Sequence, residues 1–413
     1  MNSWKVVVII ILALGGASVA AAQDGEAEHF VQAGDSWVAL GRRYGVDPVQ
    51  LQAASGHING QREPAIGSAV TVPSRPAFYG NLVRSADGGL LQTAVSHNTT
   101  AWQIALQNEI ASPHRPLFYQ PVFIEEAGQI PHDLPIGFET LELSAIPAHP
   151  GEGVAFRGQT AVPLTLTANL TMRGGRADLG MDVMKNGRFQ VGTTGTGAFF
   201  GTGEPALSIQ VDGQPFWSQP WSFKDKSWAY QELNFTGSAG AITQEMIDAE
   251  RKQMFALWEP NTPLEWTTPF QRPIDDYFEL SSNYGTRRSN NGGPYSTYHE
   301  GVDYSAYKGT PVMAAAAGTV VLAELLPVRG NSVVIDHGAG VYTGMYHLSE
   351  LETAVSNTVQ AGDVIGLVGT TGLSTGNHLH WDLIVNTVWV DGEAWLAQDM
   401  GCWLAEGLNQ LCD

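Results

Sequence analysis

The sequence predicts a mainly β, multidomain protein. Its 413 residues exceed what one hydrophobic core usually organises, so several domains are expected. The 47 glycines and 22 prolines indicate many turns, and the short alternating runs between them are typical of strands. The net charge of −20 argues against nucleic acid or anionic lipid as a partner, because such surfaces need clustered lysines and arginines.

Residues 1–22 have the pattern of a secretory signal peptide. Lys5 precedes an apolar run from Val6 to Leu14, and small residues lead to Ala22, where we expect cleavage. The alternative is a retained anchor helix, but the run is short beside the roughly 20 residues that span a bilayer. The sequence thus predicts an exported protein, secreted or in the cell envelope, without a stable membrane span after cleavage.

Residues 23–75 predict a small domain of order βααβ. A strand near His29, a Gly-Asp turn, two helices and a closing strand follow each other in about fifty residues. The opening Val31–Ser36 and the ending Ile66–Pro73 resemble those of a LysM module. The resemblance implies binding to glycans that contain N-acetylglucosamine.

Residues 76–126 repeat this pattern more weakly. Leu91–Val95 leads into Thr99–Asn108, and Pro121–Ile124 closes the segment. The length fits a degenerate second LysM-like module without the Gly-Asp turn; the alternative is an unrelated helical hairpin packed on the first module. Residues 127–138 are predicted to be a linker.

Residues 139–240 are dominated by short alternating runs that predict an immunoglobulin-like β-sandwich. Examples are Leu164–Ala168 and Leu207–Val211. Asn186-Gly187 and similar pairs between such runs are hairpin signals. No catalytic group of residues is visible here, so a spacer or docking platform is the expected role.

Residues 241–262 predict a helical linker. Thr243 can cap a helix that runs to Trp258. Its periodicity places Ile247, Met254 and Leu257 on one stripe, with Glu250 and Arg251 on the solvent side.

The chain has two cysteines, Cys402 and Cys412, and both lie in the predicted C-terminal tail, residues 398–413. In an exported protein they can form a disulfide that closes this short loop. The alternative is two idle thiols. A zinc–thiolate site is disfavoured because the chain has no CxxC pair.

Residues 263–397 carry five of the 11 histidines, between His299 and His380. Side chains two or four residues apart in a strand share a face, so His299 is expected beside Asp303, and His378 beside His380. His347 ends an alternating run that can face the same cleft. Such a group supplies what a mononuclear zinc hydrolase needs: neutral imidazoles, one carboxylate and spare imidazoles that move protons.

The flanking residues of these histidines resemble the lysostaphin and LytM type of zinc metallo-endopeptidases, which hydrolyse peptide bonds in bacterial peptidoglycan. The resemblance implies a duplicated hybrid motif fold with an open groove. The matching stretches are Asn283–Arg288, Tyr298–Asp303, Gly309–Val312, Gly318–Val321, Gly330–Gly338, Met345–Ser349 and Gly376–Trp381.

The same resemblance implies a role for each polar residue. His299, Asp303 and His380 would bind one zinc ion and leave a position open for water. His347 and His378 would be the catalytic residues that are not ligands. One would accept the proton of the water, and the other would stabilise the oxyanion or protonate the leaving amine; which does which stays open.

Glu300 is not expected to be catalytic. His299, Glu300 and Asp303 have the spacing of the helical HExxH signature, in which the glutamate is a general base. Gly301 and Val302 disfavour a helix here, and the alternation of a strand turns Glu300 away from the ligands. His337, directly after an apolar strand, is interpreted as structural.

The sequence therefore predicts an exported zinc endopeptidase that acts on peptidoglycan and is held there by glycan binding. One competing class is a non-catalytic wall-binding regulator or activator with the same fold. Such proteins typically lose metal ligands, and this chain has lost none. A second competing class is a carbohydrate-binding adhesin, which would bind sugar without cleaving any bond. The sequence does not specify the bond that is cut, or whether the N-terminal domains inhibit the enzyme.

Overall fold

The computed structural model describes most of the chain. The predicted signal peptide, residues 1–22, lies outside the described residues, and so does the first half of the linker 127–138. None of the described helices is both long and apolar enough to cross a bilayer. The described residues are 27–44, 46–57, 62–73, 81–84, 89–96, 101–107, 121–124, 133–172, 178–211, 217–233 and 242–412.

The first module has the predicted βααβ order. Its elements are β1 (Ala27–Phe30), α1 (Trp37–Tyr44), α2 (Pro48–Ala54) and β2 (Ala69–Val72). The two strands pair in antiparallel register, with Ala27 opposite Val72. Asp47 caps α2 because its carboxylate accepts a hydrogen bond from the backbone N–H of Val49 at 2.8 Å. The small core consists of Val31, Trp37, Leu40, Val46, Leu51, Val70 and Val72.

The segment after it has the same order of elements. These are β3 (Asn81–Arg84), α3 (Gly89–Ser96), α4 (Ala101–Gln107) and β4 (Pro121–Ile124). β3 and β4 pair in antiparallel register, as β1 and β2 do. A second LysM-like module over residues 76–126 stays a prediction, which this order of elements favours over an unrelated helical hairpin.

Seven strands form the β-sandwich. They are β5 (Phe138–Leu143), β6 (Gly153–Thr160), β7 (Leu166–Thr171), β8 (Asp178–Asn186), β9 (Phe189–Gly195), β10 (Ala206–Val211) and β11 (Trp217–Pro220). Their order is β11-β10-β7-β8-β9-β6-β5. This is the strand order of an immunoglobulin constant-type sandwich, with three strands in one sheet and four in the other. β8 joins the two sheets, because it pairs with β7 through residues 178–181 and with β9 through residues 182–186.

The side chain of Gln219 forms hydrogen bonds between the sandwich and the first module. Gln219 lies on β11 and is buried. Its carbonyl oxygen accepts a hydrogen bond from the backbone N–H of Gly34 at 2.8 Å, and its amide nitrogen donates to the carbonyl oxygen of Asp35 at 3.1 Å. The backbone N–H of Ile66 donates to the carbonyl oxygen of Pro220 at 2.8 Å. The module therefore rests directly against the sandwich.

Helix α5 (Gln244–Trp258) connects the sandwich to the C-terminal domain, after strand β12 (Tyr230–Leu233). Its N-terminus is capped as predicted, because Oγ1 of Thr243 accepts a hydrogen bond from the backbone N–H of Met246 at 3.3 Å. Met254 is fully buried in the core of the C-terminal domain. The helix is therefore packed on that domain along the predicted apolar stripe.

The expectation that Glu250 faces solvent is wrong. Its side chain is buried, and its carboxylate accepts hydrogen bonds from the backbone N–H groups of Val328 and Arg329. The guanidinium of Arg329 donates a third hydrogen bond, at 3.0 Å. These donors offset the cost of removing a carboxylate from water. Arg251 is exposed, as predicted.

The C-terminal domain is built from thirteen described strands. They are β13 (Glu279–Ser282), β14 (Arg287–Asn290), β15 (Tyr295–Tyr298), β16 (Val302–Ser305), β17 (Pro311–Met313), β18 (Gly318–Leu326), β19 (Gly330–Asp336), β20 (Val341–Leu348), β21 (Glu350–Leu351), β22 (Thr358–Val359), β23 (Val364–Leu367), β24 (His378–Val385) and β25 (Val388–Val390). The main sheet has the order β13-β16-β24-β20-β19-β18-β22, and β25 pairs with β24. Two small sheets, β12-β14-β15 and β17-β23-β21, complete it. The mainly β fold class is confirmed.

The C-terminal tail is a packed helix rather than a loose extension. Helices α6 (Gly392–Ala397) and α7 (Met400–Gly407) close the chain, and Leu404 of α7 is fully buried in the domain core. Cys402 and Cys412 form a disulfide, which decides between the two alternatives for these residues.

Candidate metal centre

The pairing of two neighbouring strands brings a carboxylate and an imidazole together. β16 and β24 are antiparallel, and their register sets Asp303 directly opposite His380. His378 lies opposite Ser305, two positions along the same strand. Because alternate residues of a strand share a face, His378 and His380 point to the same side, as predicted.

His299 reaches this site by a different route from the predicted one. The sequence predicts one strand through residues 299–303, but β15 ends at Tyr298 and β16 begins at Val302, so His299 lies in the connection between them. Gly301 lets this connection pass close to the sheet. A Cβ atom at this position would lie 2.7 Å from Nε2 of His380 and 2.4 Å from a backbone carbonyl oxygen.

Three possible ligand atoms converge on one point. Nε2 of His299 lies 3.0 Å from Oδ1 of Asp303, and Nδ1 of His380 lies 2.8 Å from the same oxygen. The two ring nitrogens are 3.0 Å apart. Among the described residues, His299, Asp303 and His380 form the one group of three that could hold a metal ion.

The hydrogen bonds of His299 indicate which of its nitrogens is free to bind. Its Nδ1 lies 3.1 Å from the carbonyl oxygen of Asn283, which can only accept, so Nδ1 carries the proton. Oγ of Ser282 lies 3.0 Å from the same nitrogen. In the neutral ring, Nε2 then presents a lone pair to the point of convergence. A carbonyl that fixes the tautomer of a histidine is the usual outer partner of a metal ligand.

The electrostatics of this group favour a positive charge at its centre. Burial alone would raise the pKa of Asp303, but electrostatic interactions and hydrogen bonds with His299 and His380 hold it well below its usual range. Burial lowers the pKa of His380 to about 3, despite the opposing effect of Asp303. At neutral pH His380 is therefore uncharged, and a metal ion can bind its unprotonated nitrogen in place of a proton. Two imidazole nitrogens and a carboxylate oxygen are a donor set that suits Zn²⁺.

The two other histidines lie beside the ligand group. The rings of His347 and His378 have centroids 4.9 Å apart, and Nε2 of His378 lies 3.9 Å from Oδ1 of Asp303. Nδ1 of His347 donates to the carbonyl oxygen of Thr371 at 2.8 Å, and Nδ1 of His378 lies 2.9 Å from that of Gly376. Burial, reinforced by the charge of His378, lowers the pKa of His347 to about 4. His347 is thus neutral at neutral pH and presents an unprotonated Nε2.

Comparison with known families agrees with this geometry. Residues 297–392 match the profile of Peptidase family M23, and residues 29–73 match the profile of the LysM domain. The chain carries an M23 peptidase domain and a LysM domain. We refer to the C-terminal domain that contains residues 297–392 as the M23 domain.

Individual proteins are similar to parts of the chain. Peptidoglycan DD-endopeptidase ShyA of Vibrio cholerae is 41% identical over 117 residues, which are 28% of this chain and 27% of ShyA. The DD-carboxypeptidase/endopeptidase Mpg of Neisseria gonorrhoeae is 47% identical over 88 residues, 21% of this chain and 20% of Mpg. The chain therefore aligns with only these shares, 27% and 20%, of the relatives' own length. The structure of lysostaphin from Staphylococcus simulans is 29% identical, covers 33% of this chain and 55% of that one, and has a TM-score of 0.28.

Glu300 of the M23 domain faces away from the ligand group. Its carboxylate pairs with Arg251 of helix α5 and lies 3.6 Å from the guanidinium of Arg329. His337 is also outside the group. It is fully buried, with Nδ1 2.8 Å from the carbonyl oxygen of Ala317 and Nε2 2.8 Å from Oγ1 of Thr343, which are the contacts expected of a structural histidine.

The sequence analysis missed two arginines near the site. Nη2 of Arg288 lies 3.8 Å from Oδ2 of Asp303, and burial lowers the pKa of this arginine against the charge of Asp303. The guanidinium of Arg329 lies 5.1 Å from the ring of Tyr346, which in turn lies 5.6 Å from that of His380. Arg288 is part of the stretch Asn283–Arg288 that carries the resemblance. This stretch, together with the alternation of side chains along β14, could have indicated that Arg288 lies near the site. No pattern in the sequence indicated Arg329.

Proposed function

We propose that this protein is an exported, zinc-dependent endopeptidase that hydrolyses peptide bonds of bacterial peptidoglycan. The observation that carries the proposal is the convergence of His299, Asp303 and His380 within a segment that matches Peptidase family M23. The similar proteins ShyA and Mpg are named for DD-endopeptidase activity, which supports a bond between D-amino acids of the cross-link as the target.

Zinc is the proposed metal, held by Nε2 of His299, Oδ1 of Asp303 and Nδ1 of His380. When bound, it would polarise the scissile carbonyl and acidify a water molecule so that hydroxide is available near neutral pH. The protein contributes the fixed positions of the three ligands. Ser282 and the carbonyl oxygen of Asn283 hold the ring of His299, and strand pairing holds Asp303 and His380.

His347 and His378 are proposed to move the protons of the reaction. In each ring Nδ1 faces a carbonyl oxygen, which leaves Nε2 as the reactive nitrogen. A neutral imidazole accepts a proton, and its conjugate acid returns it to the leaving amine. Two such rings side by side can supply a base on one side of the scissile bond and a donor to the oxyanion or the amine on the other.

The LysM domain is proposed to hold the enzyme on its substrate. Binding to N-acetylglucosamine-containing glycan would raise the local concentration of peptide cross-links near the M23 domain. The proposed signal peptide, residues 1–22, would deliver the chain to the cell envelope or the medium. In that compartment the disulfide between Cys402 and Cys412 is stable.

Digestion of purified sacculi tests the proposal. The full chain without its signal peptide is incubated with sacculi and zinc, and the released muropeptides are identified by mass spectrometry. We expect new amino groups and loss of cross-linked dimers, and neither with Asp303→Asn. Zinc binding without any cleavage would favour the non-catalytic regulator, and sugar binding without zinc would favour the adhesin.

A further inference from the structure

The turn between β18 and β19, residues 327–329, supports the backbone of His347. The carbonyl oxygen of Arg329 accepts a hydrogen bond from the backbone N–H of His347 at 2.8 Å. His347 has a φ of +62°, in the left-handed region that residues other than glycine rarely adopt. Such a conformation persists only where the surroundings impose it. The turn is therefore part of what keeps this proposed catalytic histidine in place.

The same turn also fixes the carbonyl group that orients the imidazole. Nδ1 of His347 donates to the carbonyl oxygen of Thr371 at 2.8 Å. The hydroxyl of Thr371 accepts from the backbone N–H of Asn331 at 2.9 Å, and the N–H of Leu373 donates to the carbonyl oxygen of Val328 at 2.7 Å. Both the backbone and the ring of His347 thus depend on the position of this turn.

Glu250 holds the turn from outside the M23-matched segment. It lies on helix α5 and is only 3% exposed. Its carboxylate accepts from the backbone N–H of Val328 at 2.7 Å, from that of Arg329 at 3.2 Å and from the guanidinium of Arg329 at 3.0 Å. Removing the carboxylate would leave two partly buried backbone N–H groups and a partly buried guanidinium without this acceptor.

We infer that Glu250 is a positioning residue for His347, acting through the turn at residues 327–329. The inference rests on the proposed function for the role of His347, although the contacts themselves do not depend on it. It also makes helix α5 a required part of the active enzyme rather than a passive linker. If the helix moved relative to the M23 domain, the carboxylate of Glu250 would shift the turn, and the turn would shift His347.

The main variant is Glu250→Ala, and two further variants isolate its effect. Glu250→Gln keeps the shape and one acceptor oxygen, so it should retain part of the effect. Gln253→Ala is the matched control, because Gln253 lies on the same helix and its amide donates to Glu324 on the surface of the M23 domain, at 2.6 Å, without touching the turn. It removes a contact between helix and domain but leaves the support of His347 intact.

The experiment compares the full chain with Glu250→Ala, Glu250→Gln and Gln253→Ala, all loaded with zinc. Kinetics on a cross-linked muropeptide give kcat and KM, and NMR of protein with ¹⁵N-labelled histidine gives the solvent exchange of the Nδ1–H of His347. A positioned acid or base contributes about 10²- to 10⁴-fold, and a displaced His347 would lose part of this contribution, so we expect kcat of Glu250→Ala to fall by about 10- to 100-fold with unchanged KM and zinc content. Exchange of the Nδ1–H should become up to about tenfold faster in the same variant, the change that corresponds to loss of one ordinary hydrogen bond. Glu250→Gln should be intermediate, and Gln253→Ala should match the wild type.

A Glu250→Ala enzyme with wild-type kcat, or with normal Nδ1–H exchange, would overturn the inference. Should this variant fail to fold, Glu250→Gln decides by the same two measurements. A wild-type protein that cleaves no muropeptide refutes the proposed function instead. The exchange measurement then still decides whether Glu250 positions His347.

Discussion

The LysM domain and the M23 domain each bury a histidine beside an aspartate, but the two pairs have different surroundings. In the LysM domain, Nε2 of His29 lies 2.8 Å from Oδ2 of Asp35. Arg43 donates to the other carboxylate oxygen at 2.7 Å, and the hydroxyl of Tyr44 lies 2.6 Å from Nδ1 of His29. The charge and the hydrogen-bonding atoms of this pair are satisfied by the protein itself.

In the M23 domain, the histidine nitrogens and the carboxylate oxygen of the group converge on one another. Nε2 of His299 and Nδ1 of His380 meet at the same oxygen of Asp303, within 3.0 Å. Arg288 is 3.8 Å away, on the side of the second carboxylate oxygen. A histidine close to an aspartate is therefore not sufficient for a metal site. What distinguishes the M23 group is that three donor atoms meet at one point, where no lysine or arginine of the described residues pairs with Oδ1 of Asp303.

The largest expected effect is the loss of metal from the M23 group alone. We expect Asp303→Asn to abolish zinc binding and to lower kcat/KM by roughly 10³-fold or more, because the ion supplies several kcal/mol of transition-state stabilisation. The same change at the other pair, Asp35→Asn, should leave the zinc content at one ion per chain. Plasma mass spectrometry of the two purified variants checks this, and equal zinc loss in both would contradict the comparison.

A second prediction separates catalysis from metal binding within the M23 domain. His347→Ala and His378→Ala should each lower kcat by about 10²- to 10⁴-fold, the usual contribution of a positioned acid or base, while zinc stays bound. His149→Ala serves as the control, because His149 lies in the sandwich segment and should leave kcat unchanged. Zinc loss in His347→Ala or His378→Ala would make that residue a ligand rather than a catalytic group.

A third prediction concerns the stability of the two domains in acid, without metal. Burial lowers the pKa of His337 to about 4, and those of His347 and His380 are also depressed, to about 4 and about 3, all from 6.5. The unfolded M23 domain then binds more protons than the folded one between pH 6.5 and 4, so its free energy of unfolding falls as the pH drops through this window.

The LysM domain should respond at lower pH. Burial alone would raise the pKa of Asp35, but His29 and Arg43 lower it below 3.8, so this carboxylate stabilises the fold above that value and ceases to do so as the pH falls through the depressed pKa. Hydrogen exchange of the EDTA-treated protein, followed by mass spectrometry, resolves the two domains. After correction for the intrinsic exchange rate at each pH, we expect lower protection of the M23 domain at pH 5 than at pH 7, with the protection of the LysM domain unchanged; the reverse order would contradict the account.

The smallest expected effect is that of Glu300→Gln. Glu300 pairs with Arg251 and Arg329 at the domain surface, and such partly exposed ion pairs contribute about 0–1 kcal/mol. We therefore expect kcat within about fivefold of the wild type. An inactive Glu300→Gln that binds a full equivalent of zinc would make Glu300 the general base after all.

The ligand group was predictable from the sequence because the resemblance of the flanking stretches to a known family implies it. Asp303 and His380 lie on strands whose alternation is visible, and the flanking stretches identify the family. The path of His299 was not predictable, since Gly301 interrupts the strand in a way that depends on its closeness to His380. His299 nevertheless lies beside Asp303, as expected, because a histidine in a connection can reach the same point as one in a strand; its role as a ligand stays a prediction.

The burial of Glu250 could not be predicted from the sequence. The periodicity of α5 indicates which face is apolar, and a glutamate beside that face is normally exposed. Its partners, Val328 and Arg329, are 78 and 79 residues away in the chain. Only the packing of the helix on the turn before β19 decides that this carboxylate is buried. Contacts of this range leave no local pattern in the sequence.

The most direct test of the central claim is a crystal structure of the zinc-loaded chain with anomalous diffraction at the zinc edge. The account predicts one ion, bound by Nε2 of His299, Oδ1 of Asp303 and Nδ1 of His380, and no ion beside His29 and Asp35. An empty M23 group, or zinc at the LysM pair in its place, would contradict it.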